Sequence, residues 1–268
     1  MIHTPTFSDQ AVTDWAMRQL ADYDERRPGT LFRYRGPLVG VNDAYRVQIE
    51  TARLRRDRGE AVVGYKIGCV SRTIQRQLGV ENPVFGHLFD TEIWSSPAVL
   101  PTDGFCELAI EGEFALTVAE DIPDPEQIRD VPQHFVRNVF PVIELHNYLF
   151  RGADRTAAEV IANNAFHAGI VAPPSRASLR DREALPIRVA INGRERGSET
   201  VDPLKTLYEL ASRLFSFGIV LSEGDVVLAG SPLPLYPVDI GDSICVEWPG
   251  GATVTAEYGG TAGDGGRA

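Results

Sequence analysis

Three glutamates set in apolar, strand-like runs constrain this chain more than any other feature: Glu111 and Glu113 in "AIEGEFAL" and Glu144 in "FPVIELHNY". A carboxylate is costly to bury alone. Strand side chains alternate between faces, so Glu111 and Glu113 point the same way, and a neighbouring strand carrying Glu144 would bring three carboxylates together. Three anions in a half-buried site repel one another unless a cation sits among them. With no Cys or His read at ligand spacing, the set is all oxygen, which favours a hard divalent ion, Mg²⁺ or Mn²⁺, over zinc. The competing reading is that one or more of these glutamates faces solvent on an edge strand.

A chain of 268 residues with 43% hydrophobic content can bury a substantial core. Its formal net charge of -11 argues against nucleic acid or an anionic membrane as a main partner, because either selects clustered Lys and Arg. The one basic run, Arg53, Arg55, Arg56 and Arg58, reads as the solvated face of a helix. No apolar stretch approaches the roughly 20 residues that cross a bilayer. No signal peptide is read in "MIHTPTFSDQ", so a cytoplasmic location is expected. Cys69, Cys106 and Cys245 are odd in number and widely spaced, which fits reduced thiols packed as small hydrophobes.

Along the chain, Ser8 or Asp9 can cap a helix with Val12, Trp15, Ala16, Leu20 and Tyr23 at helical spacing, ended by Pro28-Gly29. A second helix is predicted from Asn42 or Asp43 to about Arg58, stopped by Gly59. These helices define an N-terminal region, 1–60, ahead of a body, 61–258, and a Gly-rich tail, 259–268, expected to fray. In the body, "AVVGYKIG" is strand-like, "RTIQRQLG" is a short helix ending at Gly79, and "VFGHLF" is extended. Further strands are predicted at 106–118, 139–148, 169–171, 187–191, 226–229, 243–248 and 253–257, with a helix in "TAAEVIANNAF". Asn192-Gly193 marks a hairpin turn. The clearest helical pattern is "DPLKTLYELASRLFSFG": Asp202 as N-cap, Pro203 first, an apolar stripe of Leu204, Leu207, Ala211, Leu214 and Phe215, and Gly218 as the stop.

Five ordered motifs, "GYKIGCVSRTIQRQLGVENPVFGHLFD", "IEGEFAL", "PVIELHN", "VIANNAFHAG" and "EGDVVLAGSPLPLYPVDIGDSICVEW", resemble the fumarylacetoacetate hydrolase superfamily. The likeness spans nearly the whole chain and is strongest to its branch of 2-keto-4-pentenoate hydratases, 2-oxohept-3-enedioate hydratases and 4-oxalocrotonate decarboxylases. The resemblance implies an α+β fold, a mixed β-roll with flanking helices and the small helical N-terminal region, commonly assembled into homo-oligomers. It implies that Glu111, Glu113 and Glu144 hold the divalent metal, which agrees with the charge argument. It also maps the family's lysine onto Lys66, where the ammonium would meet the carboxylate or developing enolate of a 2-oxo acid. Leu78 corresponds to a position lining the substrate pocket, and Ser231, with Gly230, to a loop closing over the ligand's carboxylate end. For Lys66 the competing reading is a snorkelling strand-end lysine, for Leu78 core packing, and for Ser231 an ordinary turn.

Departures bear on the substrate. Where members of the branch often carry an aspartate, this chain has Val84, and the family's "D-N-A-S" becomes Asn163 to Phe166, "N-N-A-F". Neutral Asn163 and bulky Phe166 predict a less polar pocket and a substrate whose far end is uncharged. Acid/base work must come from another group, and His146 and His167, of a residue type suited to proton transfer, lie close in sequence to the site. His167 is taken as the catalytic candidate, although each histidine also fits a structural role.

The resulting expectation is a metal-dependent lyase hydrating a 2-hydroxy-2,4-dienoate or its 2-oxo-3-enoate tautomer. The alternatives are decarboxylation of a 2-oxo-3-enedioate, C–C hydrolysis of an acylpyruvate, and a non-enzymatic protein that binds a 2-oxo acid through the metal.

Overall fold

The computed structural model describes residues 7–27, 40–147, 156–178, 184–249 and 251–260. Helix α1, Asp9–Asp24, opens where Ser8 Oγ accepts from Ala11 N at 3.2 Å, satisfying one of the amides that a helix start leaves free. It closes at Asp24 with Glu25 as its cap, ahead of the expected stop; Pro28-Gly29 lies outside the described residues. Helix α2, Val41–Asp57, packs against α1 and ends before Gly59, whose φ of 101° suits glycine.

The basic run on α2 is only partly a solvated face. Arg55 is 5% exposed, its guanidinium 3.5 Å from the Phe89 ring centre, paired with Glu60 and, at 2.8 Å, with Glu92. A buried arginine persists when its charge and fork geometry are matched in this way. The sequence carried no periodic signal for it, because both glutamates come from outside the helix.

The body continues with β1, Val62–Gly68; α3, Arg72–Leu78; β2, Val84–Phe89; β3, Ile93–Ser95; β4, Ala98–Pro101; β5, Leu108–Val118; and β6, Val136–Asn147. Then come α4, Ala157–Ala162; β7, His167–Ala172; β8, Ala177–Ser178; β9, Leu185–Ile191; and β10, Arg194–Val201. Helix α5, Leu207–Phe215, leads to β11, Val226–Leu228; β12, Tyr236–Pro237; β13, Ser243–Glu247; and β14, Thr253–Gly260. A nine-stranded mixed sheet has the path β2-β1-β11-β5-β6-β7-β3, with β12 added to β5 and β8 to β6; a five-stranded sheet runs β10-β9-β13-β14-β4. This is the expected α+β architecture.

The "E-G-E" spelling of β5 has a packing cause. Gly112 points away from the glutamates, toward the second sheet, where a Cβ would stand 2.3 Å from Val189 Cγ2 and 3.2 Å from Val246 Cγ2. Phe114, on the same face, meets Trp248 edge-on at 5.6 Å. The missing side chain thus seats β9 and β13 against the back of the strand that carries both glutamates. Gly112→Ala should cost about 1–3 kcal/mol through overpacking. Urea denaturation reads this directly, and an unchanged midpoint would show that the sheets can separate freely here.

Three expectations about elements are corrected. Helix α5 starts at Leu207, not after Asp202: residues 203–206 form turns, Asp202 Oδ1 accepts from Leu204 N at 2.9 Å, and Thr206 Oγ1 donates to Ala229 O at 2.7 Å. Phe215, predicted on its apolar stripe, is 51% exposed, while Leu207, Ala211 and Leu214 are buried. Strand β14 runs through Gly260, so Gly259 and Gly260 belong to the sheet and not to a tail; 261–268 lie outside the described residues. The Asn192-Gly193 turn is present, with φ of 54° and 69°, and it launches β10, a strand almost entirely exposed and therefore without an apolar alternation to read.

Candidate active site

Strand register builds the site. In the antiparallel pair β5·β6, Glu111 stands opposite Glu144, Glu113 opposite Val142 and Ala109 opposite His146, so Glu111, Glu113, Glu144 and His146 share one face. Lys66 on β1 pairs with Leu228 on β11, and Leu228 pairs with Ala115, which places the lysine on that same face. Beyond the polar groups the face continues as an apolar floor of Ala115, Phe140, Val142, Ile170 and Leu228. Sequence reasoning expected the three carboxylates and Lys66 together, and the structure brings them together.

The centre is buried. Glu113 is 0% exposed, Glu144 1% and Lys66 3%. Glu144 is its hub: Oε1 lies 3.1 Å from Lys66 Nζ and 2.8 Å from His167 Nδ1, while Oε2 lies 3.3 Å from His146 Nε2. His146 Nε2 is also 3.3 Å from Glu111 Oε2. Glu113 accepts from Gly230 N at 2.6 Å through Oε2, and its Oε1 is buried without a partner.

Charge is shared unequally. Burial, then the Glu144 charge, push Glu113 well above the usual carboxylate range. Burial opposes ionisation of Glu144 too, yet Lys66 and His146 hold it well below that range. The same carboxylates outweigh the cost of burying the Lys66 ammonium and raise its pKa. His146, although buried, is pushed up to about 9 by Glu144 and Glu111.

His146 is a candidate donor that the sequence reading left out of the carboxylate set. Glu111, Glu144 and His146 offer donor atoms within 4.8 Å of one another, so the statement that no histidine stands at ligand spacing is overturned. The signal was available: His146 follows Glu144 by two residues in a strand, the same spacing as Glu111 and Glu113.

His167 arrives by a strained route. Asn164, Ala165 and Phe166 have φ of 55°, 51° and 63°, three consecutive left-handed residues between α4 and β7. Asn164 fixes this turn to β2 like a strand partner, accepting from His87 N at 2.7 Å and donating to His87 O at 2.8 Å. Gly86 makes room, since a Cβ there would stand 2.6 Å from Asn164 O.

The remaining predicted residues divide. Val84 is next to the lysine: Val84 Cγ2 and Lys66 Nζ lie 3.6 and 3.5 Å from the position a Cβ would take on Gly68. Ser231 is spent on its own loop, its Oγ 3.1 Å from Gly112 O and accepting from Leu233 N at 3.1 Å, and this fixes the loop whose Gly230 amide reaches Glu113. Leu78 is half-buried at the end of α3 and packs on the main core. Asn163 faces the N-terminal helices, accepting from Gln19 Nε2 at 2.5 Å and donating to Glu159 O at 2.8 Å, and Phe166 is part of the main core.

Two buried atoms in this centre, Glu113 Oε1 and His146 Nε2, lack hydrogen-bond partners amid three carboxyl groups. A divalent cation fits that donor set, because it would neutralise carboxyl groups that burial and mutual repulsion otherwise penalise. Fold and site therefore define an α+β protein with a buried, lysine-bearing acidic centre suited to a divalent ion and an anionic ligand.

Residues 60–257 match the fumarylacetoacetate (FAA) hydrolase C-terminal family. The chain belongs to the fumarylacetoacetate hydrolase family. It is 30% identical over 232 residues to the 2-hydroxyhexa-2,4-dienoate hydratase of Comamonas testosteroni, covering 83% of this chain and 88% of that one. It is 26% identical over 235 residues to the 2-oxo-hept-4-ene-1,7-dioate hydratase of Escherichia coli, with 83% and 88% covered. Among solved structures, 4-oxalocrotonate decarboxylase from Pseudomonas putida G7, complexed with magnesium and adipate, superposes with a TM-score of 0.88 at 25% identity, over 95% of this chain and 100% of that one. The family and fold expected from the motifs are both borne out.

Proposed function

We propose that this protein is a divalent-metal-dependent hydro-lyase that adds water to a 2-hydroxy-2,4-dienoate or its 2-oxo-3-enoate tautomer, in the catabolism of aromatic compounds. The observation that carries this reading is the buried Lys66 held within 3.1 Å of a carboxylate cluster, since an ammonium there can also meet a carboxylate or enolate oxygen of a bound ligand. The hydratase relatives support water addition as the reaction.

Glu111, Glu113 and Glu144 would hold Mg²⁺ or Mn²⁺. When bound, the ion supplies Lewis-acid polarisation of the ligand's carboxylate and adjacent C2 oxygen. Lys66 stabilises the negative charge that develops on the ligand as the conjugated system becomes an enolate. His167 orients Glu144 through Nδ1, which fixes one carboxylate oxygen and leaves Oε2 turned toward Glu111 and His146. Its Nε2 is buried without a partner, and the ring lines a small cavity with Gln48 and Asn163. A proton donor in that position would work through a water, not by direct contact with the carboxylates. The Gly230 amide holds Glu113, and the floor of Phe140, Val142 and Ile170 keeps the lower part of the site dry.

The expectation of an apolar substrate end drew on Val84, Asn163 and Phe166. Val84 alone stands beside Lys66, so an alkyl-substituted dienoate, favoured over a dicarboxylate, rests on that residue. Decarboxylation is the second reading, favoured by the full-length likeness to 4-oxalocrotonate decarboxylase.

One panel tests these readings: alkyl and dicarboxylic dienoates, with loss of dienoate absorbance and CO₂ release followed together. Absorbance should fall without CO₂, activity should vanish with chelator, and Mg²⁺ or Mn²⁺ should restore it. CO₂ release at the rate of absorbance loss would move the assignment to decarboxylation. Full activity in a metal-free preparation would remove the metal role.

A further inference from the structure

We infer that His146 is a nitrogen ligand in the carboxylate centre, and that it shifts the centre's preference from Mg²⁺ toward Mn²⁺ and Co²⁺. The inference rests on the metal-site reading above and goes beyond it in naming the donor that sets selectivity.

Three observations carry it. First, strand geometry delivers the imidazole to the same face as the carboxylates: His146 lies two residues beyond Glu144 and, in register, two pairs along from Glu111, opposite the small Ala109. Second, Nε2 stands 3.3 Å from both Glu111 Oε2 and Glu144 Oε2, at ion-pair distance from each but without a well-formed hydrogen bond to either. The side chain is only 5% exposed, so the nitrogen is shut off from bulk solvent. A buried polar atom left without a partner is uncommon and carries a desolvation cost. Third, Glu144 divides its oxygens: Oε1 is committed to Lys66 and His167, whereas Oε2 is turned toward Glu111 and His146. Glu111, Glu144 and His146 thus converge, with donor atoms within 4.8 Å of one another.

Donor chemistry gives the selectivity. Mg²⁺ takes oxygen ligands and dehydrates reluctantly, while an imidazole nitrogen suits transition ions and adds to their affinity in the order Mn²⁺ below Co²⁺. A site of carboxylates alone discriminates weakly between Mg²⁺ and Mn²⁺; one that adds a buried imidazole discriminates more.

The test is direct binding, independent of turnover. Mg²⁺, Mn²⁺ and Co²⁺ are titrated calorimetrically into the metal-free full-length protein and into His146→Gln, and the Mn²⁺-loaded proteins are measured by electron spin-echo spectroscopy. Mn²⁺ should bind the wild type at least about tenfold more tightly than Mg²⁺, and most of that margin should disappear in His146→Gln. A nitrogen coupling should be present in the wild type and lost in the variant. Absence of a nitrogen coupling in the wild type overturns the inference without requiring that any variant fold. Its persistence in His146→Gln, or an unchanged ratio of Mg²⁺ to Mn²⁺ affinity, overturns it equally and assigns His146 to hydrogen bonding. Failure of every ion to bind the wild type would instead remove the metal site, and this inference with it.

Discussion

Replacing Lys66 with methionine should lower kcat/KM by about a hundred- to a thousandfold, the loss seen when one preorganised donor to a developing oxyanion is removed. Divalent-metal affinity should hold or rise. Lys66 is a buried cation facing Glu144, Glu111 and Glu113, so in the metal-free protein it competes electrostatically with any second cation in the cluster. Methionine, one atom shorter, keeps most of the apolar stem and removes the ammonium, which separates its charge and hydrogen bonds from packing of the stem. Metal titration and steady-state kinetics on the same preparation give the two numbers. Parallel losses in metal binding and turnover would mean that Lys66 builds the centre and does not act on the ligand. A loss confined to KM would mean that it binds substrate and transition state equally.

The parts of this site that were legible in the sequence are those governed by strand alternation. Glu111 and Glu113 had to share a face, and Glu144 had to sit in a neighbouring apolar strand, because three carboxylates are tolerable in the interior only together with a cation. His146 obeys the same alternation but was read by residue type, as a histidine beside a site, and not by its position two residues beyond Glu144. Gly112 reads as a spacer until the second sheet is in place, since nothing local says that Val189 will press against it. Arg55 and its glutamates come from three separate segments, and ion pairs of that kind leave no periodicity. The start of α5 was misplaced because Asp202-Pro203 is an equally good opening for a turn, and the Thr206 bond to Ala229 O was invisible. Asn163 and Phe166 were assigned to the pocket by resemblance; the left-handed turn at 164–166 places Phe166 in the main core, while Asn163 is held by Gln19 and Glu159.

The apo energetics of the carboxylates also change once the structure is known, and with them the expected stability of two variants. Mutual repulsion alone predicts that removing any one glutamate leaves metal-free stability unchanged or slightly higher. That holds for Glu113, whose ionisation burial and the Glu144 charge both oppose, so Glu113→Gln should shift thermal unfolding little. Glu144 is different: it is the ionised hub to which Lys66, His146 and His167 all turn. Glu144→Ala strands a buried ammonium and two buried imidazole contacts, and breaking a buried pair on one side costs about 3–5 kcal/mol. Glu113 can ionise and take up part of the role, which puts the expectation near the lower end of that range. For a chain of this size about 3 kcal/mol corresponds to a drop in Tm of roughly 6–10 °C. Calorimetry on both variants after exhaustive chelation decides the matter. Equal Tm values for Glu144→Ala and Glu113→Gln would show that the lysine is satisfied without Glu144 and that the three acids are interchangeable in the metal-free protein.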